Sequence, residues 1–199
     1  MAVNTYLFDL DGTLIDTKIY SSLYPHIIEK LKKHLAITDA DLDTKATSLG
    51  LKKRDGKWDT GELCKKLDLL DFYYHELEKK IQIMPILHDR VIYVLAELKK
   101  RGRRIAIVSN SMQRTIDLYL KKYDLTQYMD FVFSSDDAGC MKDNKLFWEK
   151  LIEKEKLVPS ECLMIGDNIL EDISMPKRSG FNTFYVATSF DLTMLLHRA

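Results

Sequence analysis

Several kinds of residue are scarce in this chain of 199 residues, and each shortage excludes a class of protein. With only 8 glycines and 4 prolines, the chain lacks the composition of a disordered or low-complexity segment. Its 3 cysteines are far apart and have neither a CxxC pair nor a histidine at ligand spacing, so we expect no disulfide framework and no zinc site. A reducing compartment, the cytoplasm, is therefore the expected location.

Charge and hydropathy exclude two further classes. The 30 basic residues balance the 30 acidic ones, so the chain lacks the basic excess that is typical of nucleic-acid-binding proteins. Apolar runs stay well short of the roughly 18 residues that a helix needs to cross a bilayer. We therefore expect a small-molecule partner, with neither nucleic acid nor membrane involved. The sequence leaves a monomer and a homodimer equally open.

Short apolar runs, each ending in polar or small residues, predict buried strands at 6–8, 105–108, 131–133, 163–165 and 183–186. Helical patterns lie between them, for example at 112–122 and 145–156, and a last helix is predicted after residue 189. Strands that alternate with helices indicate an α/β fold. We predict a Rossmann-like, doubly wound parallel sheet of about five strands.

The segment between the first two predicted strands carries no strand pattern. Its apolar residues recur at helical spacing, as in Leu23, Ile27 and Leu31, and further helices are predicted at 63–70 and 72–81. A helical domain is therefore predicted at 17–84, inserted into a core domain formed by residues 1–16 and 85–199.

Acidic, hydroxyl and amide residues follow three of the predicted strands: Asp9 and Asp11, then Ser109 and Asn110, then Asp167 with Asp172 five positions later. Because the carboxyl ends of parallel strands meet at one edge of a sheet, we expect these side chains to converge there. Crowded carboxylates repel one another unless a cation or a proton offsets their charge. Oxygen ligands of this kind suit Mg²⁺.

These segments resemble the motifs of the haloacid dehalogenase-like (HAD) superfamily. FDLDGTL at 8–14 is similar to its first motif, IVSN at 107–110 to its second and IGDNILED at 165–172 to its fourth. The third motif is a lysine upstream of the fourth, usually followed by proline. Lys142 matches this position, but Asp143 follows it and Lys145 is near enough to compete for the role.

The resemblance implies a phosphatase of this superfamily with a C1-type helical cap at 17–84. It assigns the nucleophile to Asp9, which would form an aspartyl-phosphate, and the general acid and base to Asp11. Mg²⁺ is the implied cofactor, with ligands drawn from Asp9, Asp11 through its backbone carbonyl, Asp167 and Asp172. Asp172 would alternatively orient the lysine. The phosphate would be bound by Ser109, Asn110, Gly12 and Lys142.

The implied substrate is a small phosphate monoester such as a sugar phosphate, a nucleotide or phosphoglycolate. Relatives that attack carbon lack the second aspartate, so Asp11 favours phosphoryl transfer. A phosphomutase and a non-catalytic phosphate-binding protein remain as alternatives. A basic turn at 52–58 contains Arg54, a candidate substrate ligand, and ends at Trp58, an aromatic residue able to stack on a base. A solvated interhelical loop explains the same residues.

Overall fold

The computed structural model describes residues 3–53 and 56–197. The chain divides into two compact units, one formed by Met1–Thr17 with Ile86–Ala199 and the other by Lys18–Pro85. Nowhere in the described ranges is a helix both long enough and apolar enough to cross a membrane.

The first unit is built on five parallel strands: β1 (Thr5–Phe8), β2 (Arg104–Val108), β3 (Phe131–Phe133), β4 (Cys162–Gly166) and β5 (Asn182–Tyr185). Their order in the sheet is β3-β2-β1-β4-β5, with β1 in the centre. The predicted α/β fold with a parallel five-stranded sheet is thus confirmed. Phe8 is in register with Ile107 on one side and with Ile165 on the other, so the residues after these three strands emerge at one edge.

The second unit is helical and consists of α1 (Lys18–Leu35), α2 (Asp39–Ser48), α3 (Thr60–Lys66) and α4 (Leu70–Ile83). The prediction of one helix at 63–70 was wrong in its bounds. Asp59 caps α3 by accepting a hydrogen bond from the Glu62 N–H at 2.9 Å, so the helix starts at Thr60. The chain then turns at Asp68, whose φ is 59°, before α4 begins.

A buried carboxylate joins α1 to α4 inside this helical unit. Glu76 is 4% exposed and lies 2.5 Å from His26 Nε2 and 2.8 Å from Lys30 Nζ. Burial alone would raise the pKa of Glu76, but the hydrogen bonds from Lys30 and His26 outweigh it and hold the pKa at about 2. The group is therefore ionised and paired at neutral pH.

The sheet is accompanied by α5 (Val91–Lys100), α6 (Gln113–Lys122), α7 (Ser135–Ala138), α8 (Lys145–Glu155) and α9 (Met175–Arg178). Shorter helical segments are the 3-10 turns Thr126–Tyr128, Pro159–Glu161 and Ser189–His197 and the π-helical segment Ile169–Ser174. The predicted last helix therefore forms as a 3-10 segment.

One face of the sheet and α8 form the core cluster that supports the candidate site. Leu7, Val108 and Met164 pack in it with Trp148, which is completely buried. The Trp148 ring lies 5.5 Å from that of Phe181. Close packing on all sides fixes the direction of the indole N–H, and this N–H reaches the site.

Candidate active site

Asp9 continues the line of β1 by one residue at the carboxyl edge of the sheet. Its N–H donates to the Ile165 carbonyl at 2.8 Å, which extends the pairing with β4 beyond Phe8. The residue is 6% exposed. The backbone thus holds a carboxylate in a fixed and nearly water-free position.

Lys142 lies against this carboxylate. Its Nζ donates to Asp9 Oδ1, to Asp172 Oδ1 at 2.6 Å and to the Val108 carbonyl at 3.4 Å. Burial by itself would lower the pKa of Lys142, but the two carboxylates outweigh it and hold the pKa above its usual value. The ammonium therefore stays charged. Lys145, the competing candidate, is 74% exposed at its side chain and pairs with Glu149.

The backbone of Lys142 is held on both sides by side chains. Its N–H donates to Asn110 Oδ1 at 2.8 Å, and its carbonyl accepts from Trp148 Nε1 at 2.8 Å. The amide oxygen of Asn110, a predicted phosphate ligand, is therefore engaged in positioning the lysine. These two bonds fix the position from which the lysine side chain reaches Asp9.

Asp172 has both carboxylate oxygens engaged by protein donors. Oδ1 accepts from Lys142, and Oδ2 accepts from the Asn168 N–H at 3.0 Å. A Cβ atom placed on Gly166 would lie 2.3 Å from Asp172 Cγ, so the carboxylate occupies space that a glycine at the end of β4 leaves open. This arrangement favours the role in which Asp172 orients the lysine.

Asp9, Asp167 and Asp172 each offer an oxygen atom within 4.8 Å of the others. Burial raises the pKa of Asp9 well above its usual range, and the charge of Asp172 adds to this rise although Lys142 opposes it. Burial and Asp172 also raise the pKa of Asp167. Three carboxylates at this distance repel one another, and an oxygen-only donor set is one that Mg²⁺ accepts. The residues present thus fit a divalent cation.

Asp11 lies two residues further along, in the loop after β1, and contacts the loop after β2. Ser111 Oγ donates to Asp11 Oδ2 at 2.6 Å. The Ser111 N–H in turn donates to Ser109 Oγ at 3.0 Å. Ser109 is 1% exposed, and its own N–H donates to the Phe133 carbonyl at 3.0 Å. The Ser109 hydroxyl thus accepts one hydrogen bond within this loop.

Gly12 brings the first loop close to Asp167. Its φ is +87°, a conformation that L side chains rarely adopt, and a Cβ atom there would lie 2.2 Å from Asp167 Oδ2. Its N–H is used internally and donates to the Ile15 carbonyl at 2.7 Å. Gly12, which the resemblance assigns to phosphate binding, thus also leaves open the space that the Asp167 carboxylate occupies.

We expect Gly12→Ala to lower activity by about a hundredfold or more, because the new methyl group must displace Asp167, and errors of about 1 Å have effects of this size. Gly102→Ala is the matched control. Gly102 also has a positive φ, +70°, but a Cβ atom there would meet nothing within 4 Å. It should lose a little stability through backbone strain and keep full activity. If both variants lost the same fraction of activity, backbone strain alone would explain the effect.

The predicted basic turn is partly accounted for by contacts within the helical unit. Trp58 is 7% exposed and donates from Nε1 to Asp43 Oδ1 at 2.7 Å, so its ring is packed and not available to stack on a substrate base. Lys53 donates to Asp43 Oδ2 at 2.8 Å. Both contacts favour the structural interpretation of this loop. Arg54, the predicted substrate ligand, lies outside the described residues and stays a prediction.

Sequence reasoning missed two residues of this site, Ser111 and Trp148. Ser111 stands directly after Ser109 and Asn110, and its place in that loop was the available signal. Trp148 gave no signal, because a tryptophan within a helical pattern is read as core. Its hydrogen bond to Lys142 depends on how α8 packs against the sheet.

A family model described as haloacid dehalogenase-like hydrolase matches residues 6–186. The chain belongs to the haloacid dehalogenase-like hydrolase family. Its motif order and its Rossmann-like sheet agree with that membership, and the expectation that it is an enzyme of the hydrolase type is confirmed. The match extends through both compact units of the chain.

Individual HAD relatives are similar over nearly the whole chain. Pyrophosphatase PpaX of Bacillus mycoides is 30% identical over 195 residues, which cover 96% of this chain and 86% of that protein. A HAD phosphatase from Thermococcus onnurineus has a TM-score of 0.69 at 22% identity, covering 100% of this chain and 99% of the other. The HAD hydrolase YfnB of Bacillus subtilis, bound to magnesium, has a TM-score of 0.68 at 20% identity, covering 99% and 100%.

Proposed function

We propose that this HAD hydrolase is a Mg²⁺-dependent phosphatase that hydrolyses a small phosphate monoester through an aspartyl-phosphate on Asp9. One observation carries the proposal: the buried Asp9 carboxylate touches the Lys142 ammonium at the edge of the sheet, beside two further carboxylates. A carboxylate held in this way is a suitable nucleophile for phosphorus. The fixed cation beside it offsets the charge of an incoming phosphate.

The first half of the reaction requires that the phosphoryl oxygens be neutralised, since a phosphate dianion repels a carboxylate. Lys142 supplies positive charge, and the Ser109 hydroxyl supplies a proton for a hydrogen bond to a phosphoryl oxygen. An oxygen of Asp9 then forms a bond to phosphorus while the bond from phosphorus to the ester oxygen breaks. The electron pair of the broken bond goes to the ester oxygen.

Asp11 transfers a proton in both halves of the reaction, first as an acid and then as a base. It protonates the departing ester oxygen in the first half. In the second half it takes a proton from the water whose oxygen bonds to phosphorus, while the bond from phosphorus to Asp9 breaks and its electron pair returns to the Asp9 carboxylate. Its position in the loop after β1, two residues after the nucleophile, supports this assignment. Relatives that attack carbon lack an aspartate at this position, so the presence of Asp11 also favours phosphoryl transfer.

Asp9, Asp167 and the backbone carbonyl of Asp11 are the proposed holders of Mg²⁺. When bound, the ion supplies positive charge that opposes the carboxylate repulsion and the charge of the phosphoryl group. Asp172 is assigned to orienting Lys142, because both of its oxygens accept protein hydrogen bonds. Asn110 is assigned to the same task through the lysine backbone.

The helical unit Lys18–Pro85 is our candidate for the part that selects the substrate. Support comes from the family resemblance, which predicts a C1-type cap in this segment. Such caps exclude water and contact the part of the substrate beyond its phosphate.

We expect phosphate release to require Mg²⁺. Sugar phosphates, nucleoside monophosphates, phosphoglycolate and p-nitrophenyl phosphate would be assayed with Mg²⁺, with EDTA and with Mg²⁺ restored. Release should fall by about a hundredfold or more in EDTA and return with the metal. In parallel, Mg²⁺ should raise the melting temperature of the wild type but not of Asp167→Asn, because binding to the folded state alone stabilises it.

Other outcomes identify the alternatives. Conversion of one sugar phosphate isomer into another without net phosphate release would identify a phosphomutase. Tight binding of a phosphate analogue, with no turnover of any ester, would identify a non-catalytic binding protein. Release that is unchanged by EDTA would contradict the metal-dependent mechanism.

Inorganic pyrophosphate is a second candidate substrate, favoured by the similarity to pyrophosphatase PpaX. The same residues would act on it, with phosphate in place of an alcohol as the leaving group. Adding pyrophosphate to the panel separates the two candidates. A kcat/KM for pyrophosphate well above that of every monoester would select it.

A further inference from the structure

The loop after β2 contains three polar residues in a row, and the structure gives each a different partner. Ser109 Oγ accepts from the Ser111 N–H, and Asn110 Oδ1 accepts from the Lys142 N–H. Ser111 Oγ donates to Asp11 Oδ2, 100 positions away in sequence. The family resemblance gave roles to the first two residues and none to Ser111.

We propose that Ser111 is a positioning residue that aims the carboxyl group of Asp11 at the leaving oxygen. The proposal rests on the proposed function, in which Asp11 is the general acid. The observation behind it is the hydrogen bond of 2.6 Å from Ser111 Oγ to Asp11 Oδ2. This length is typical of a hydroxyl that donates to a carboxylate oxygen.

The backbone of Asp11 is already fixed, but its side chain needs a separate constraint. The loop is closed by the hydrogen bond from the Gly12 N–H to the Ile15 carbonyl at 2.7 Å, next to a bridge between Asp11 and Ile15. The terminal torsion of an aspartate is broad and poorly defined by sterics. A hydrogen bond to one carboxyl oxygen therefore selects its orientation.

Which oxygen is held decides where the acid proton sits. A hydroxyl that donates to Oδ2 requires Oδ2 to act as an acceptor, so the proton of the acid form is carried on Oδ1. In the proposed step, Asp9 bonds to phosphorus, the ester bond breaks and its electron pair goes to the ester oxygen. The Oδ1 proton of Asp11 passes to that oxygen, which leaves as the alcohol.

Ser111 is itself well fixed. Its N–H is bound to Ser109 Oγ, and Ser109 is buried and tied to β3 through the Phe133 carbonyl. Because the Ser111 backbone is held in this way, its hydroxyl approaches Asp11 from a constant direction. Loss of the hydroxyl should leave Asp11 in place along the chain and remove this constraint on its carboxyl group.

The test uses the leaving-group dependence of the reaction, because a merely structural role would not change it. Alkyl alcohols leave poorly without a proton, whereas p-nitrophenolate leaves well unaided. With Mg²⁺ present, Ser111→Ala should lower kcat for glycerol 2-phosphate by about 10–100-fold, a part of the roughly 100–10,000-fold that a positioned general acid contributes. For p-nitrophenyl phosphate it should lower kcat less than about threefold, since little acid catalysis is needed. KM should change little for either ester.

Three further variants control this result. Ser111→Thr keeps a hydroxyl and should restore turnover of the alkyl ester. Ser135→Ala removes a neighbouring hydroxyl that donates to the Ser111 carbonyl at 3.4 Å, and it should behave as wild type on both esters. In an Asp11→Asn background, Ser111→Ala should cause no additional loss on the alkyl ester, because its partner has already lost the acid function.

Equal losses on both esters in Ser111→Ala would overturn the proposal and indicate a general structural or phosphate-binding role. So would wild-type rates on both, or a crystal structure of Ser111→Ala in which the Asp11 carboxyl group keeps its orientation. A wild-type protein that releases phosphate from neither of these esters nor from any other ester of the panel would overturn the proposed phosphatase function and this inference with it. The activity of the wild type therefore distinguishes failure of the proposed phosphatase function from failure of the positioning role of Ser111.

Discussion

Asp9→Asn is expected to lower phosphate release by at least about a thousandfold, because an amide oxygen is too weak a nucleophile to form the covalent intermediate. The replacement keeps the shape of the side chain and an oxygen that accepts from Lys142. It also removes a negative charge beside Asp172, so the fold should be retained and the melting temperature unchanged or raised. Phosphate release and thermal melting by circular dichroism measure both effects.

A matched control and an independent readout make this prediction specific. Asp143→Asn makes the same chemical change at an exposed position next to Lys142 and should keep wild-type activity. Trifluoroberyllate, a mimic of the phosphoryl group on aspartate, should bind the wild type in ¹⁹F NMR spectra and fail to bind Asp9→Asn. A variant that keeps a tenth of wild-type turnover would contradict the role of Asp9 as nucleophile.

Lys142→Met is expected to destabilise the sheet-containing unit and to abolish activity. Lys142 is 1% exposed, and its removal leaves Asp9 and Asp172 buried without their cation. Removing one partner of a buried ion pair costs roughly 3–5 kcal/mol. Lys145→Met, at a side chain that is 74% exposed, should change neither stability nor activity appreciably. Urea denaturation in EDTA measures the free energy of unfolding of each variant.

The loss in Lys142→Met should depend on pH with a defined sign. Burial already raises the pKa of Asp9 above its unfolded value although Lys142 opposes the rise, so removal of Lys142 raises this pKa further. The folded variant then binds more protons than the unfolded chain, so its free energy of unfolding rises as the pH falls toward the usual pKa of a carboxyl group. Stability that does not recover at low pH would show that loss of packing, and not unpaired charge, causes the defect.

The strands and the edge where the site lies follow from local sequence. Each strand is a short apolar run that ends at polar residues, so its position can be read without knowledge of the rest of the chain. All five predicted strands formed, and no strand bound differs from its prediction by more than one residue. Because they are parallel, the residues that follow β1, β2 and β4 had to meet at one edge.

Helix bounds and side-chain partners were less accessible from the sequence. The apolar spacing at 63–70 gave the wrong start for α3, since the cap at Asp59 determines where that helix begins. Trp58 is the aromatic residue of the predicted basic turn, yet its indole N–H donates to Asp43 on α2. In both cases a polar contact decided the structure, and neither hydrophobic periodicity nor the composition of a turn records such contacts.

The sequence by itself therefore determined the parallel α/β sheet, the order of the motifs and the convergence of Asp9 and Asp167 with the loop of Ser109, because these depend on short segments. The tertiary structure alone decided between Lys142 and Lys145, three residues apart on the same stretch. Asn110 and Trp148 fix the backbone of Lys142, and Asp9 and Asp172 receive its side chain. The tertiary structure likewise pairs Ser111 with Asp11. Apart from the bond from Trp148, these contacts join residues 30 or more positions apart, and only the packing of the sheet and its helices brings them within hydrogen-bond distance.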